Sequence, residues 1–237
     1  MTAEKQQRTI VIGDIHGCYS EFIDLLDAVE FDGATEKLIL LGDYIDRGKD
    51  SYRVIKKIQE LQKKYPNNVI ALRGNHEQML IDAYDCGMSK YSQEHSLWMM
   101  NGGKKTLKSF YKYQAKINQE IQWFKNLPLY YEDDSRIYVH AGIDLYKPMT
   151  EQNAYTLLWT REPFIFNSKK YEKQVVFGHT PSQNLTQDTK PYKTVGGNIG
   201  IDTGCVYNGV LTALIIENNE VSSFIQTERS CTYDSKI

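Results

Sequence analysis

The chain has 237 residues, of which 41% are hydrophobic and 24% are charged, and its formal net charge is -2 at pH 7. This length and composition suit one globular domain, so we expect a single domain over residues 1–237. The near-neutral charge weighs against nucleic acid or a membrane surface as a partner. No apolar stretch reaches the roughly 20 residues that a membrane-spanning helix needs.

The N-terminal segment and the cysteines indicate a cytoplasmic protein. The opening sequence MTAEKQQRTIVIGDIHG shows no signal-peptide pattern, because its apolar run is short and leads straight into a loop. The four cysteines are widely separated and form no CxxC pair. That spacing is typical of free thiols in a reducing compartment rather than of a thiolate zinc site.

Strand and helix patterns alternate over the first part of the chain. Short runs of β-branched and aliphatic residues predict strands over 8–13, 36–42 and 67–74. Apolar residues at helical spacing predict helices over 19–31 and 51–65, with Ser51 as the cap of the second. Strands and helices that alternate at this spacing are typical of a parallel sheet with covering helices.

The pattern changes in the middle of the chain. Residues 78–126 show helical periodicity that Gly102 and Gly103 interrupt, which predicts a helical insertion on one side of the sheet. Strand patterns return over 137–142 and 174–180, and two closing strands flank a predicted hairpin turn at Asn218 and Asn219. The polar tail from about residue 227 is expected to fray.

Acidic, amide and histidine side chains follow the predicted strands. They occur in the Gly-flanked motifs GDIHG, GDYIDRG, LRGNHE, VHAG and FGHTP, which contain Asp14, His16, Asp43, Asp46, Asn75, His76, His140 and His179. Ligands of open α/β sheets bind beyond the carboxyl ends of the strands. A mixed oxygen and imidazole set suits Mn, Fe or Zn, and this set exceeds the needs of one ion. It therefore predicts a site for two divalent ions.

Three arginines add a predicted site for an anionic substrate. Arg47 and Arg73 follow the same strand ends, and Arg161 lies in the sequence LLWTREPF. Guanidinium groups bind phosphate oxygens in a bidentate manner, which lysine does not. If the three converge on the metal site, they form a clamp for a phosphate group.

These motifs together resemble the phosphoprotein phosphatase family of calcineurin-like metallophosphoesterases, and in particular its small bacterial and phage serine/threonine phosphatases. The resemblance covers about Thr9 to Ile216, and the three-part signature GDIHG, GDYIDRG and LRGNHE is highly specific. It implies an α/β fold, namely a β-sandwich of mixed sheets flanked by helices, with the helical segment as an insertion.

The resemblance also implies a role for each site residue. Asp14 and His16 would bind one metal ion, Asn75, His140 and His179 would bind a second, and Asp43 would bridge the two. His76 would protonate the leaving oxygen, with Asp46 orienting it, and Arg47, Arg73 and Arg161 would hold the phosphate. The nucleophile would be a hydroxide that bridges the metals. Manganese is the expected metal, with iron or zinc as alternatives.

The expected reaction is hydrolysis of phosphoserine and phosphothreonine in proteins. The alternative is a symmetrical bis(5'-nucleosyl)-tetraphosphatase, which cleaves dinucleoside polyphosphates with the same chemistry. Such relatives often lack the second aspartate and the arginine of GDYIDRG, which this chain keeps as Asp46 and Arg47. However, the segment WMMNGGKKTLKSF (98–110) resembles segments of both groups. The oligomeric state stays open.

Two further classes of function are weaker hypotheses. A nuclease or cyclic-nucleotide phosphodiesterase fits poorly with the near-neutral charge. A non-catalytic metal-binding scaffold would lack a ligand or the acid. Among the remaining residues, Glu77 is expected to support the loop or an arginine, Tyr207 is a candidate for substrate contact, and His95 is expected at the surface or in the core.

Overall fold

The fold consists of two mixed five-stranded sheets flanked by helices. The computed structural model describes residues 8–227. The strands in chain order are β1 (Arg8–Ile12), β2 (Lys37–Leu40), β3 (Val69–Ala71), β4 (Tyr130–Glu132), β5 (Arg136–Val139), β6 (Gln174–Phe177), β7 (Tyr192–Lys193), β8 (Ile199–Gly200), β9 (Thr212–Glu217) and β10 (Glu220–Gln226). The predicted α/β sandwich of mixed sheets is thereby confirmed.

In chain order, the described helices all lie between successive strands. They are α1 (Tyr19–Ala28), α2 (Ser51–Lys64), α3 (Asn75–Asp85), α4 (Gln93–Trp98), α5 (Lys104–Lys112), α6 (Ile121–Asn126), α7 (Ala154–Trp159), α8 (Glu162–Ile165) and α9 (Gln183–Thr186). None of the helices described over residues 8–227 is both long enough and apolar enough to cross a bilayer.

The first sheet has the strand order β10-β9-β1-β2-β3. Strands β1, β2 and β3 are parallel, as the alternating pattern predicted, and β9 pairs antiparallel to β1. The second sheet has the order β4-β5-β6-β8-β7, with β5, β6 and β8 parallel and the two edge strands antiparallel. The parallel strands of each sheet carry the functional motifs at their carboxyl ends.

The core is built from alternating residues of the strands. Val11 of β1 packs with Ile39, Tyr138 and Val176, so it belongs to the layer that joins the two sheets. Its neighbours Ile10 and Ile12 pack instead into the cluster formed with the helices. Because successive side chains of a strand point to opposite faces, β1 is buried on both sides.

Several details differ from the sequence-based predictions. Ser51 is the first residue of α2 rather than its cap; Asp50 precedes the helix, and the buried Ser51 hydroxyl lies 3.3 Å from Oγ1 of Thr106. The short edge strands β4 and β7 were not predicted. The hairpin turn is confirmed, since Asn218 and Asn219 have φ values of 51° and 61° between β9 and β10. The predicted fraying of the tail lies outside the described residues.

The helical insertion begins at Asn75, slightly earlier than predicted, and extends through α6. A π-helical stretch, Met99–Gly103, separates α4 from α5, and Gly102 has a φ of 105° within it. A Cβ atom on Gly102 would lie 2.7 Å from the backbone nitrogen of Arg47. The glycine therefore permits the close approach of the insertion to the loop GDYIDRG.

Candidate active site

A cavity of about 720 Å³ lies beyond the carboxyl ends of the parallel strands of both sheets. The strands position its side chains, because Asp43 follows β2, Asn75 follows β3 and His179 follows β6. The residues that line it are Asp43, Arg47, Asn75, His76, Asn101, Trp159, Arg161, His179, Pro181, Gln183, Asn184 and Tyr207. The motifs that the sequence placed at separate strand ends therefore meet at one edge.

Asp43 lies between two groups of histidines. Its Oδ2 atom is 3.4 Å from Nε2 of His16, and its Oδ1 atom is 3.5 Å from Nε2 of His140. The ligand atoms of His16, Asp43 and His76 lie within 4.8 Å of one another, as do those of Asp43, His140 and His179. One carboxylate thus faces both groups, which is the arrangement that a bridging ligand of two ions requires.

The tautomers of two histidines follow from their backbone contacts. Nδ1 of His16 lies 2.8 Å from the carbonyl oxygen of Ile45, and Nδ1 of His140 lies 3.0 Å from that of Leu41. A carbonyl only accepts, so each Nδ1 carries the proton and each Nε2 presents a lone pair. Each ring therefore presents the unprotonated nitrogen that a metal ion would need.

The side-chain oxygen of Asn75 faces two histidine nitrogens, and these contacts indicate whether a cation fits here. Its Oδ1 atom lies 2.9 Å from Nε2 of His140 and 3.1 Å from Nδ1 of His179. Burial lowers the pKa of His140 to about 4, so that ring is neutral near pH 7. Its Nε2 lone pair then faces another acceptor, an arrangement that a divalent ion between the donor atoms would stabilise. The residues present fit a metal ion.

Three buried carboxyl groups lie close to the same site. Burial raises the pKa of Asp43 to about 7 and that of Asp202 to about 6. Burial, and next the charge of Asp202, raises the pKa of Asp14 well above its usual range. Both Asp14 oxygens accept the backbone N–H of His179 at 3.1 Å, and Asp14 lies outside the two compact groups. Cations would allow these acids to ionise together.

His76 and Asp46 form a buried pair. Nδ1 of His76 lies 2.7 Å from Oδ2 of Asp46, and the buried Nε2 atom has no hydrogen-bond partner. His76 lines the cavity. Proximity alone would also allow His76 to be a metal ligand, since Nε2 is 3.9 Å from Oδ2 of Asp43. The pairing of Nδ1 with a carboxylate instead suits a group that transfers a proton from Nε2.

The loop GDYIDRG has an unusual backbone. Asp43, Asp46 and Arg47 adopt left-handed φ values of 53°, 70° and 64°. Such conformations cost non-glycine residues roughly 1–2 kcal/mol each. Glu77 stabilises the loop, because its carboxylate accepts the backbone N–H groups of Asp43 and Tyr44, both at 2.8 Å. The expectation that Glu77 supports the loop is confirmed.

Two of the three arginines lie in the cavity. Arg47 donates to Nε2 of His16 at 2.6 Å, and its guanidinium carbon lies 5.1 Å from the centre of the Tyr207 ring. Arg161 donates to the carbonyl oxygen of His179 and to Oγ1 of Thr180, at 3.2 and 3.0 Å. Both guanidinium groups therefore lie beside histidines of the site.

Arg73 does not reach the cavity, so its predicted place in the phosphate clamp is corrected. Its guanidinium donates to Oε1 of Gln78 at 2.9 Å and to the carbonyl oxygens of Lys125 and Leu127 at 2.6 and 3.1 Å. These carbonyls lie at the end of α6, where unpaired backbone oxygens attract a cation. Arg73 ties the insertion to β3 instead.

Several residues of the site were not predicted from the sequence. Trp98 and Thr106 bind Asp46, and Asp202 lies beside Asp14. The cavity also contains Asn101, Trp159, Gln183 and Asn184. The sequence around Asp202 could have indicated a site residue. Asp202 lies in a Gly-flanked segment just after β8, and the other acids of the site lie in similar segments after other strands. Tyr207 lines the cavity as anticipated, and His95 is partly buried in α4 and does not line it.

Comparison with known proteins gives the family. A model of the calcineurin-like phosphoesterases matches residues 7–207. Serine/threonine-protein phosphatase 1 of Salmonella typhimurium is 29% identical over 223 residues, which are 91% of this chain and 94% of that protein. The symmetrical bis(5'-nucleosyl)-tetraphosphatase of Wigglesworthia glossinidia brevipalpis is 31% identical over 68% of this chain, and the match spans 50% of that protein.

Solved structures agree on the fold. The crystal structure of a protein assigned as a diadenosine tetraphosphatase superposes with a TM-score of 0.66 at 20% identity, covering 94% of this chain and 95% of the other. Together with the donor-lined cavity, these matches define a metallophosphoesterase, a hydrolase of phosphate esters. The chain belongs to the calcineurin-like phosphoesterases.

Proposed function

We propose that the protein hydrolyses phosphate monoesters, with phosphoserine and phosphothreonine in proteins as its substrates. The observation that carries this proposal is the buried Asp46–His76 pair: Nε2 of His76 has no hydrogen-bond partner, and His76 lines the cavity. A serine or threonine alkoxide is a poor leaving group and must be protonated as it departs. A phosphoanhydride, in contrast, releases a nucleotide that is already a good leaving group.

The proposed metal ligands follow the two groups around Asp43. Asp14 and His16 would hold one divalent ion, Asn75, His140 and His179 would hold the other, and Asp43 would contact both. Bound ions supply an activated water and neutralise phosphate charge. Manganese is our proposed metal, and iron and zinc are chemically acceptable to the same donors.

Arg47 and Arg161 orient the substrate in this proposal. Their guanidinium groups line the cavity together with His76. Placed on the oxygens of a phosphate group, they would fix it with its ester oxygen towards Nε2 of His76 and stabilise the charge that develops in the transition state.

His76 then donates the Nε2 proton to the departing ester oxygen as the bond between that oxygen and phosphorus breaks. An oxygen of the attacking water forms the new bond to phosphorus, so the products are the alcohol and inorganic phosphate. The alcohol leaves with that proton, and solvent restores it to Nε2. Throughout, Asp46 accepts the Nδ1–H group and holds the ring in place. The ring that donates is the imidazolium, and it becomes the neutral Nδ1–H form after the transfer. Burial lowers the pKa of His76, and the negative charge of an ionised Asp46 favours the protonated form against that effect.

A specific observation also favours the dinucleoside tetraphosphatase as a second candidate. The cavity lining includes the aromatic residues Trp159 and Tyr207 together with the amide residues Asn101, Gln183 and Asn184. Aromatic rings stack on nucleobases, and amides form hydrogen bonds with base edges. A nucleoside could therefore occupy this part of the cavity.

The test compares two substrates on the manganese-loaded protein. We expect kcat/KM for phosphoserine and phosphothreonine peptides to exceed that for diadenosine tetraphosphate. A protein stripped of metal by chelation, and the same protein resupplied with Mn²⁺, serve as controls for contaminating phosphatases. A clear preference for the dinucleotide would contradict the proposal and support the second candidate.

A further inference from the structure

The helical insertion surrounds Asp46 with hydrogen-bond donors. Nε1 of Trp98, the last residue of α4, lies 3.1 Å from both Asp46 oxygens. Oγ1 of Thr106, in α5, donates to Oδ1 at 2.6 Å and accepts the backbone N–H of Asp46 at 2.8 Å. The three side chains are fully buried, with 0% of each exposed.

These bonds fix the position of the Asp46 carboxylate and oppose its protonation. An ionised carboxylate only accepts, and its neighbours here are the indole N–H, the threonine hydroxyl and Nδ1 of His76. Rotation about the Cβ–Cγ bond would break the contact with Thr106 or the contact with His76. Burial raises the pKa of Asp46, and the bonds from Thr106 and Trp98 oppose that shift.

The arrangement cannot be read as ordinary core packing alone. A tryptophan and a threonine from two helices, separated by a π-helical turn, both direct their polar atoms to one carboxylate. That carboxylate is the one that contacts His76. Gly102, in the turn between the two helices, allows the close approach to Arg47 that this geometry needs.

We propose that Trp98 and Thr106 are positioning residues, which act through Asp46 to hold His76 as the proton donor to the leaving group. The inference rests on the proposed role of His76. It predicts that the insertion contributes to the chemical step and not only to the fold. Neither residue touches the substrate, since neither lines the cavity.

The chain offers two matched pairs of test and control variants. Trp98→Phe removes the indole N–H that binds Asp46, whereas Trp123→Phe removes an indole N–H that donates to Gln62 at 2.9 Å. Thr106→Val removes the hydroxyl at Asp46. Ser109→Ala, in the same helix, removes a buried hydroxyl that accepts the N–H of Tyr52 at 3.0 Å. Thr106→Ser restores the hydroxyl.

The experiment measures kcat and KM on aryl phosphates of increasing leaving-group pKa, ending with an alkyl phosphate. Metal content and the thermal midpoint are measured for every variant. We expect Trp98→Phe and Thr106→Val to lose about tenfold or more in kcat on the poorest leaving group and little on p-nitrophenyl phosphate. KM and metal content should not change, and Thr106→Ser should recover most of the loss.

The outcomes separate this inference from the proposed function. Losses that are equal on all leaving groups, or that the controls share in proportion to their thermal midpoints, would overturn the positioning role. If Trp98→Phe does not fold, Thr106→Val alone tests the positioning role. Asp46→Asn is the reference variant. If kcat depends more steeply on leaving-group pKa in Asp46→Asn but not in Trp98→Phe or Thr106→Val, the positioning role is refuted and the proposed function stands. If kcat depends no more steeply on leaving-group pKa in Asp46→Asn and His76→Asn than in the unmodified protein, the proposed role of His76 as the acid is refuted.

Discussion

Nδ1 of His76 lies 2.7 Å from Oδ2 of Asp46, although the two residues are separated by 30 positions in the chain. Only 1% of the His76 side chain and 0% of the Asp46 side chain are exposed. The pair is therefore almost fully shielded from water, and His76 also lines the cavity. In such a setting a hydrogen bond to a carboxylate orients an imidazole far better than it would at the surface.

Replacing His76 tests the proposed acid directly. We expect His76→Asn to lose about 100-fold or more in kcat on phosphopeptides, because the alkoxide departs without a proton. The loss on p-nitrophenyl phosphate should be smaller, since nitrophenolate is a better leaving group. Steady-state kinetics on both substrates measure the difference. His95→Asn, outside the cavity, is the control, and equal losses on the two substrates would argue against an acid.

Replacing Asp43 tests the two-ion site. Because its two oxygens face His16 and His140 separately, we expect Asp43→Asn to weaken binding at both positions. Asn75→Ala should weaken only the position shared with His140 and His179. Metal-to-protein ratios after equilibrium dialysis against Mn²⁺ measure this. Loss of the same single ion in both variants would contradict a bridging role for Asp43.

The thermal stabilisation by Mn²⁺ should depend on pH. Burial raises the pKa of Asp43 to about 7, so without metal this group stabilises the fold below its unfolded pKa and that contribution is lost as pH rises through about 7. Metal binding needs the carboxylate, and His140, with a pKa of about 4, is already neutral. The increase in Tm on adding Mn²⁺ should therefore grow between about pH 5 and about pH 8.

Differential scanning fluorimetry with Mn²⁺ and with a chelator measures that increase. The chelated protein should lose stability over the same pH range, and chelated Asp43→Asn should lose less, because it lacks the titrating group. A metal-induced gain in Tm that is constant or falls with rising pH would show that Asp43 does not control binding.

Local sequence patterns were sufficient for the parts of the fold and site that depend on neighbouring residues. The strands after which Asp43, Asn75 and His179 lie were visible as aliphatic runs, and the parallel order brings their ends together. The contacts of Trp98 and Thr106 with Asp46 span 52 and 60 positions. No periodicity in the insertion indicates which of its polar atoms turns inward.

Arg73 illustrates the opposite error. It shares the Gly-flanked strand end of its neighbours, and pattern alone places it with the phosphate-binding arginines. Its direction is decided by α6, whose terminal carbonyl oxygens, including that of Lys125, are close enough to take its protons. A tertiary contact 52 positions away in the chain overrides the local motif, and the sequence carries no local signal for it.

This difference between the arginines gives the last prediction. Arg161→Lys keeps the charge in the cavity but loses the planar fork, so KM for phosphopeptides should rise by about tenfold with a smaller change in Tm. Arg73→Lys, the matched control, loses hydrogen bonds to Lys125, Leu127 and Gln78. It should lower Tm by a few degrees, as expected for roughly 1–3 kcal/mol of lost bonding, and leave KM unchanged. If Arg73→Lys raises KM while its metal content is unchanged, Arg73 does contribute to phosphate binding, and its exclusion from the phosphate clamp is wrong.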